Sequence, residues 1–308
     1  MIERLTVEVP ATSANLGPGF DCLGLALGVY NRVHVELLEG TSCEIEMEGY
    51  GTAELSHGPD NLVLVAMRHL FAKVDRELPA VRLRQENGIP LCSGLGSSAA
   101  AEISGLFAAN ELLDRPFGTA ELGRIALELE DHPDNIIPAL VGGLVAAVAH
   151  HDRTGWQLSY VRFDPPPWTT VIVTPELRVE TVESRRQLPK RYSRADAVFN
   201  IGHAALLVAA LAQGDRAALA TALDDRIHQP YRVPGLVGAQ AVLAAAQAAG
   251  AIGAVLSGSG PTLLAFCDDA ASGETVAAAM AEAWRGQGVS VTARVVAPSA
   301  TGARVVPA

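Results

Sequence analysis

The sequence predicts an α+β protein of two layers. Short stretches of apolar–polar alternation, the period of a half-buried strand, are interspersed with stretches whose apolar residues recur at helical spacing, and the order mixes runs of strands with runs of helices. A triple proline, Pro165-Pro166-Pro167, marks a stiff, extended connection and divides the chain into residues 1–164 and 165–308. At 308 residues, 49% apolar and 19% charged, the chain buries a core without staples. With aromatics at 5%, that core is built mostly of Ala, Val, Leu and Ile.

The elements follow in order. Residues 5–9 alternate as a strand, 14–19 form a Gly-rich turn, and 29–38 alternate again around Val33, Val35 and Leu37. A polar, Gly-bearing stretch leads to Asp60 and Asn61, either of which suits the N-cap of a helix over 62–74. A short strand over 81–85 precedes a Gly/Ser loop that runs into an Ala-rich helix ended by Pro116. Thr119 is placed to cap a further helix over 120–131, stopped by Pro133, and the apolar run from Gly142 to Val148 reads as a strand. Beyond the prolines, the pattern predicts a strand over 169–174 and helices over 198–212, 216–227 and 237–249. A strand–turn–strand over 254–266, a helix over 273–285 and a strand over 289–296 close the chain.

Composition excludes several functions. A diffuse net charge of −11 argues against nucleic acid and an anionic membrane surface, whereas Mg²⁺ is easily tolerated. Cys22, Cys43, Cys92 and Cys267 are scattered, with no C-x-x-C, and read as reduced thiols rather than zinc ligands. No apolar N-terminal segment resembles a signal peptide, and no uncharged apolar run reaches the roughly 18–20 residues of a membrane span, so a cytoplasmic protein is expected.

The strongest chemical signal is Ser93-Gly94-Leu95-Gly96-Ser97-Ser98-Ala99-Ala100. Small residues let main-chain N–H groups approach an anion, and the following helix aims its free N–H groups and positive dipole end at the same point. A bare Gly-rich turn with a Ser cap would look similar, but glycines, paired serines and alanines at one helix entry favour phosphate. No Lys follows the glycines, so the loop is not a Walker A loop, and the third glycine of a dinucleotide fingerprint is missing.

On these residues the chain resembles the GHMP kinases. Residues 90–100, Pro90-Leu91-Cys92 onward, are similar to the family's second motif, and 254–262, with Leu-Ser-Gly-Ser-Gly-Pro-Thr, to its third. Residues 10–24, His132-Pro-Asp-Asn135 and Gln229-Pro-Tyr-Arg232 resemble segments of the branch that phosphorylates L-homoserine. The resemblance implies a domain like domain 2 of ribosomal protein S5, then a ferredoxin-like domain, with ATP, Mg²⁺ and L-homoserine in the cleft between them. It also implies a homodimer and a step toward threonine. By motif position, Ser98 and Glu128 match the metal ligands, with Ser98, Glu128, His132 and Asn135 at the reacting groups. Pro90, Leu91, Cys92, Ser93, Gly94, Leu95, Gly96, Ser97, Ser98, Ala99 and Ala100 match the triphosphate cradle, and Asn61 the segment near adenine. Asn15, Asp21, His132, Asn135, Arg185, Arg232 and Gly260 match positions around the acceptor. One departure is Asp131, where the family often carries Gly; it leaves Glu130 as an alternative to Glu128.

The chemistry fits these residue types. Mg²⁺ keeps waters and needs few protein oxygens, so one hydroxyl and one carboxylate suffice. Asp21 suits an ammonium, and Arg185 and Arg232 suit a carboxylate through the guanidinium fork, although Arg185 beside Arg186 also reads as a solvated face. Asp134 and His132 are bases by residue type alone. With no Lys in the N-terminal motif, direct transfer is expected, the proton passing to phosphate or solvent. A different acceptor, or an ATP-binding sensor without catalysis, are the competing readings.

Overall fold

The computed structural model describes residues 3–40, 42–179 and 181–307. The chain opens with a long antiparallel pair, β1 (Arg4–Ala14) and β2 (Leu23–Leu37), in register from Arg4↔Glu36 to Ala14↔Gly24 with a shift at Pro10/Ala11. Next come β3 (Glu44–Gly49), α1 (Leu62–Ala72) and β4 (Val81–Asn87). β3 and β4 run parallel, with α1 as their crossover. Asn61 caps α1, its Oδ1 accepting from Val63 N. α2 (Ser97–Leu112), α3 (Thr119–Ala126), α4 (Pro133–Val141), β5 (Leu144–Asp152) and β6 (Gly155–Phe163) complete the first half.

The second half holds β7 (Thr169–Pro175), α5 (Thr181–Arg186), α6 (Arg194–Gln213), α7 (Arg216–Ala222), α8 (Gln229–Arg232), α9 (Ala239–Ala248), β8 (Gly253–Leu256), β9 (Leu263–Cys267), α10 (Ala270–Arg285), β10 (Val291–Val296) and β11 (Arg304–Val306). Its sheet, β10-β7-β9-β8, is antiparallel throughout. That is the order of a split βαβ unit, as expected for a ferredoxin-like domain. The strands on either side of Pro165–Pro167 therefore belong to different sheets. β11 returns to pair with β1, giving the first sheet the order β11-β1-β2-β4-β3, with β5 joining β2 and β6 joining β5.

The main core lies between the first sheet and α1, α2 and α4, from Val7, Leu25 and Leu83 to Met67, Ile103 and Ile137. It continues into the second half through Trp168, Leu207 and Phe266, while α9 and α10 cover a smaller cluster around Trp284. α6 has the length and apolarity of a membrane span, with 22% of that window buried. It is nonetheless tied into this core: Leu207 and Leu211 are buried and Asn200 Nδ2 donates to Pro18 O (2.8 Å).

Several expectations need correction. The helix expected over 120–131 ends at Ala126, and Pro133 opens α4 instead of merely ending its predecessor. Proline suits the first helical turn because its missing N–H has no partner there anyway. The N-cap of α3 is Gly118, not Thr119, and α2 starts from Gly96 with no serine cap, as the phosphate-loop reading requires. The helix expected over 216–227 stops at Ala222, and β3, β6, α5 and β11 occupy stretches read as irregular.

Candidate active site

A cleft of about 970 Å³ lies where these elements converge. Its walls are the 14–21 turn after β1, the Gly/Ser loop and first turn of α2, and the α3–α4 connection. α5, Arg232 of α8 and the β8–β9 turn close it. Segments far apart in sequence are fastened here by main-chain bonds: Thr12 N to Leu95 O (3.0 Å), Gly258 N to Ala14 O (3.1 Å) and Thr262 N to Ser93 O (3.0 Å). Ser257 Oγ bonds Gly94 O (2.7 Å) and Ser13 Oγ (2.8 Å), and Asn15 Nδ2 donates to Gly258 O (2.9 Å).

The loop is built for an anion. Gly94 (φ +79°) and Gly96 (φ +69°) hold left-handed conformations. A Cβ on Gly94 would stand 2.3 Å from Ser257 O, and one on Gly96 2.1 Å from Thr12 Oγ1. Only glycine satisfies both the dihedral and the approach. No side chain caps α2 at Gly96, so the N–H groups of its first turn face the cleft beside Ser97 and Ser98.

One turn along α2 from Ser98 stands Glu102, buried, with Oε2 lacking a partner; burial pushes its carboxyl up to about 7. Burial, with Glu102 and Asp131 near, pushes Glu130 up to about 8. Glu128 also lines the cleft but is already engaged: its Oε2 takes Lys73 Nζ (2.5 Å) and His69 Nε2 (3.0 Å) from α1. Uncompensated carboxyls, Glu102 buried and Glu130 half-buried, beside a hydroxyl-bearing anion loop are what a divalent cation would neutralise, so Ser98 with Glu130 and Glu102 fits Mg²⁺.

The opposite wall carries the charges suited to an amino acid. Arg185 of α5 holds Asp21 bidentately (2.9 and 3.1 Å). Asp21 sits at φ +58° with its N–H on Asn15 Oδ1 (2.9 Å). Arg232 is 3% exposed, its Nη1 reaching Gly258 O (3.3 Å) and His228 Nδ1 (3.4 Å), while Nε has no partner among the described residues. The Phe20 ring lies 5.5 Å from the Arg185 guanidinium, 5.4 Å from that of Arg232, and stacks on His228 at 5.3 Å. Asn135 Oδ1 accepts from Thr12 Oγ1 (2.8 Å), which turns its amide N–H₂ away from Thr12. Asp131, the departure from the family pattern, places Oδ1 2.6 Å from His132 Nδ1. Burial, with Asp21 and Glu130 adding to it, pushes the Asp134 carboxyl up to about 8.

Residues 61–143 match GHMP kinases N terminal domain and residues 207–286 match GHMP kinases C terminal. The chain is 44% identical to homoserine kinase of Moorella thermoacetica over 301 residues, covering 97% of this chain and 99% of that one. With homoserine kinase of Trichormus variabilis it shares 42% over 307 residues, covering 98% and 99%. The chain belongs to the GHMP kinase family. The crystal structure of homoserine kinase from Cytophaga hutchinsonii superposes on it with a TM-score of 0.90 at 29% identity, over 99% of this chain and 98% of that one. Mevalonate kinase of L. major, at 12% identity and a TM-score of 0.72 over 96% and 95%, shares the fold.

Within this GHMP fold the cleft gathers Asn15, Asp21, Cys92, Ser93, Gly94, Gly96, Ser97, Ser98, Ala99, Glu128, His132, Asn135, Arg185 and Arg232. Asn61, Pro90, Leu91, Leu95, Ala100 and Gly260 do not line it. Asn61 is buried, with Oδ1 accepting from Val63 N (3.1 Å) and Gln85 Nε2 (2.9 Å) and Nδ2 donating to Ser56 O (3.0 Å). Leu95 and Ala100 belong to the core, Pro90 O receives Ser93 Oγ (2.8 Å), and Gly260 packs behind the loop at Gly94.

Glu102, Phe20 and His228 were missed. Phe20 stands inside a quoted motif and His228 directly precedes another, so proximity to the motifs was their only signal. His228 is buried and faces the carbonyl of Gly17 through Nε2 (2.8 Å). A carbonyl only accepts, so Nε2 carries the proton and Nδ1 offers its lone pair to Arg232. Burial lowers the His228 pKa and keeps the ring neutral.

Proposed function

We propose that this enzyme transfers the γ-phosphoryl group of Mg·ATP to the side-chain hydroxyl of L-homoserine, yielding ADP and O-phospho-L-homoserine, a step toward threonine in the cytoplasm. The observation that carries the reading is Arg232, a buried guanidinium that has, among the described residues, an unpartnered Nε and no carboxylate of its own, in the same cleft as an uncapped helix N-terminus. One end of the cleft suits phosphate and the other a small carboxylate. The identity of the relatives supports homoserine as that carboxylate's owner.

In this reading the triphosphate lies over the first turn of α2, held by main-chain N–H groups and the serine hydroxyls. The substrate carboxylate meets Arg232 and Arg185, and its ammonium meets Asp21. Because Asp21 and Arg185 hold each other, a substrate must bring both charges to replace both partners. Asn135 is turned to donate to the acceptor hydroxyl or a phosphate oxygen and cannot take a proton, so the transfer is direct. The hydroxyl oxygen bonds to the γ-phosphorus, the bond to the bridging oxygen of ADP breaks, and the proton leaves to a phosphate oxygen or water. Mg²⁺, when bound, neutralises charge on the phosphate oxygens; Ser98 and Glu130 would hold it, since Glu128 already has two cationic partners.

The reading is tested by ADP release with ATP, Mg²⁺ and a panel of L-homoserine, mevalonate, shikimate and galactose. Turnover with homoserine is expected; silence there with turnover of another acceptor sinks it. The homodimer implied by the family would use α6, whose Val198 and Ile201 are 64% and 69% exposed. Light scattering of wild type and Ile201→Glu, expected to be dimer and monomer, examines that.

A further inference from the structure

Among the described residues, three buried side-chain polar atoms lack a hydrogen-bond partner: Glu102 Oε2, Arg232 Nε and Asn87 Nδ2. The first two adjoin the catalytic cleft and are accounted for by cation and substrate. The third lies elsewhere. Asn87, 7% exposed at the end of β4, lines a separate cavity of about 390 Å³ at the seam of the two sheets, with β2 and β3 on one side and Arg294 of β10 on the other.

We propose that this cavity is a second ligand site, for a small organic monocarboxylate. The polar capacity left over on its walls is of one kind. The Arg294 side chain forms no hydrogen bond or ion pair with another described residue. The other charges are matched: Arg32 Nε to Glu8 (2.8 Å), Glu48 to Arg84 (3.0 Å), and Glu86 to His34 and Arg84 (both 2.9 Å). Nearby main-chain donors are also taken, Gly28 N by Ala297 O (2.9 Å) and Ile89 N by Asn31 Oδ1 (3.0 Å). The Arg294 guanidinium remains on the wall, with the unpartnered Asn87 amide buried behind it, so the missing partner is an acceptor with negative charge. The fork of Arg294 matches a carboxylate in two parallel bonds. A phosphate dianion would face Glu48 and Glu86. The volume sits at the low end of ligand pockets and suits a metabolite of a few heavy atoms, not a nucleotide. The residues come from both sheets, so the ligand would bridge them.

The probe is propionate, observed by saturation-transfer NMR on the full chain, with acetate, methylamine and inorganic phosphate as competitors. Expected is propionate binding that persists in Arg185→Ala, is displaced by acetate and not by methylamine, and weakens by about tenfold or more in Arg294→Ala, which removes both charge-assisted bonds. Asn87→Asp, which replaces the donor by a like charge, abolishes it; should that variant fail to fold, the exposed Arg294 carries the test alone. Absence of binding in wild type, binding unchanged in Arg294→Ala, or loss in Arg185→Ala with retention in Arg294→Ala overturns the proposal. Displacement by phosphate at lower concentration than acetate overturns the carboxylate class.

Discussion

The two ends of the cleft are built from different materials. The phosphate end is main chain: Gly94 and Gly96 in left-handed conformations, an uncapped helix turn, and backbone bonds from Thr12 and Thr262 that fix the loop. The end proposed for the acceptor is side chain, with Asp21, Arg185 and Arg232 brought together from positions up to 211 residues apart and both guanidinium groups set over one ring, Phe20. A main-chain site recognises what all nucleotides share, and any change to its shape strains the fold. A side-chain site recognises one molecule and can change without disturbing the fold. Substitutions at the two ends should therefore fail differently, in kcat at one and in acceptor KM at the other.

The largest effect is expected at the phosphate end. Ser98→Ala and Glu130→Ala each lower kcat by about 10²–10³, the typical loss for one contact to developing charge, and raise the Mg²⁺ requirement. Glu128→Ala loses far less, because that carboxylate serves Lys73 and His69. Steady-state kinetics across a Mg²⁺ titration decide; a dead Glu128→Ala with an active Glu130→Ala reverses the assignment.

At the acceptor end, Arg232→Ala costs roughly 2–5 kcal/mol of substrate interaction, as for other buried charge pairs. It appears in KM for homoserine, and in kcat so far as the grip aligns the hydroxyl, with KM for ATP unchanged. Arg232→Lys is not conservative, since an ammonium cannot reproduce two parallel N–H bonds. A smaller effect sharpens the contrast. Asp21→Asn leaves Arg185 without its partner and Arg185→Gln does the reverse, so the two losses are coupled. The double variant is expected to bind homoserine better than the product of the single losses predicts, by about 0.5–3 kcal/mol. Additive losses in this cycle mean that the pair is not rearranged by substrate.

The same division explains what the sequence made legible. A main-chain site leaves a contiguous trace, so residues 93–100 pointed to phosphate on their own. Asn135, Arg185 and Arg232 leave none, and only the family pattern placed them; Arg185 alone reads as a solvated face. Glu130 and Glu128 lie two residues apart in the irregular turn after α3, where helical spacing gives no direction. In the fold, β3 and β6 are partly exposed edge strands whose alternation, Ile45/Met47 and Trp156/Leu158/Tyr160, is legible in the sequence. α4 was hidden by Pro133 and Pro138. It forms because Pro133 sits in its first turn, and the Asp134 carbonyl, which Pro138 cannot bond, packs against Gly24, where a Cβ would stand 1.9 Å away.

A separate effect, on stability instead of turnover, concerns Asp134, which belongs to neither end and joins them, feeling Asp21 on one side and Glu130 on the other. Its carboxyl, pushed up to about 8 chiefly by burial, stays protonated in the folded enzyme at pH values where the unfolded chain, with an ordinary value of about 3.9, has ionised. Between those values the unfolded state binds fewer protons than the folded one, so stability falls as pH rises. It is fully present below about pH 4, declines by at most about 1.4 kcal/mol per pH unit from this group, and levels off above the folded value. Glu130, up to about 8, and Glu102, up to about 7, act in the same direction over overlapping ranges, so the ligand-free enzyme should melt lower at pH 8 than at pH 5. Asp134→Asn keeps the shape and removes the titration. Its midpoint temperature should fall less steeply across that interval, and the difference from wild type should vanish near pH 4. An unchanged slope in the asparagine variant means that the carboxylate is already ionised and paired in the folded protein, and that Arg185, close enough to oppose the shift, outweighs its burial.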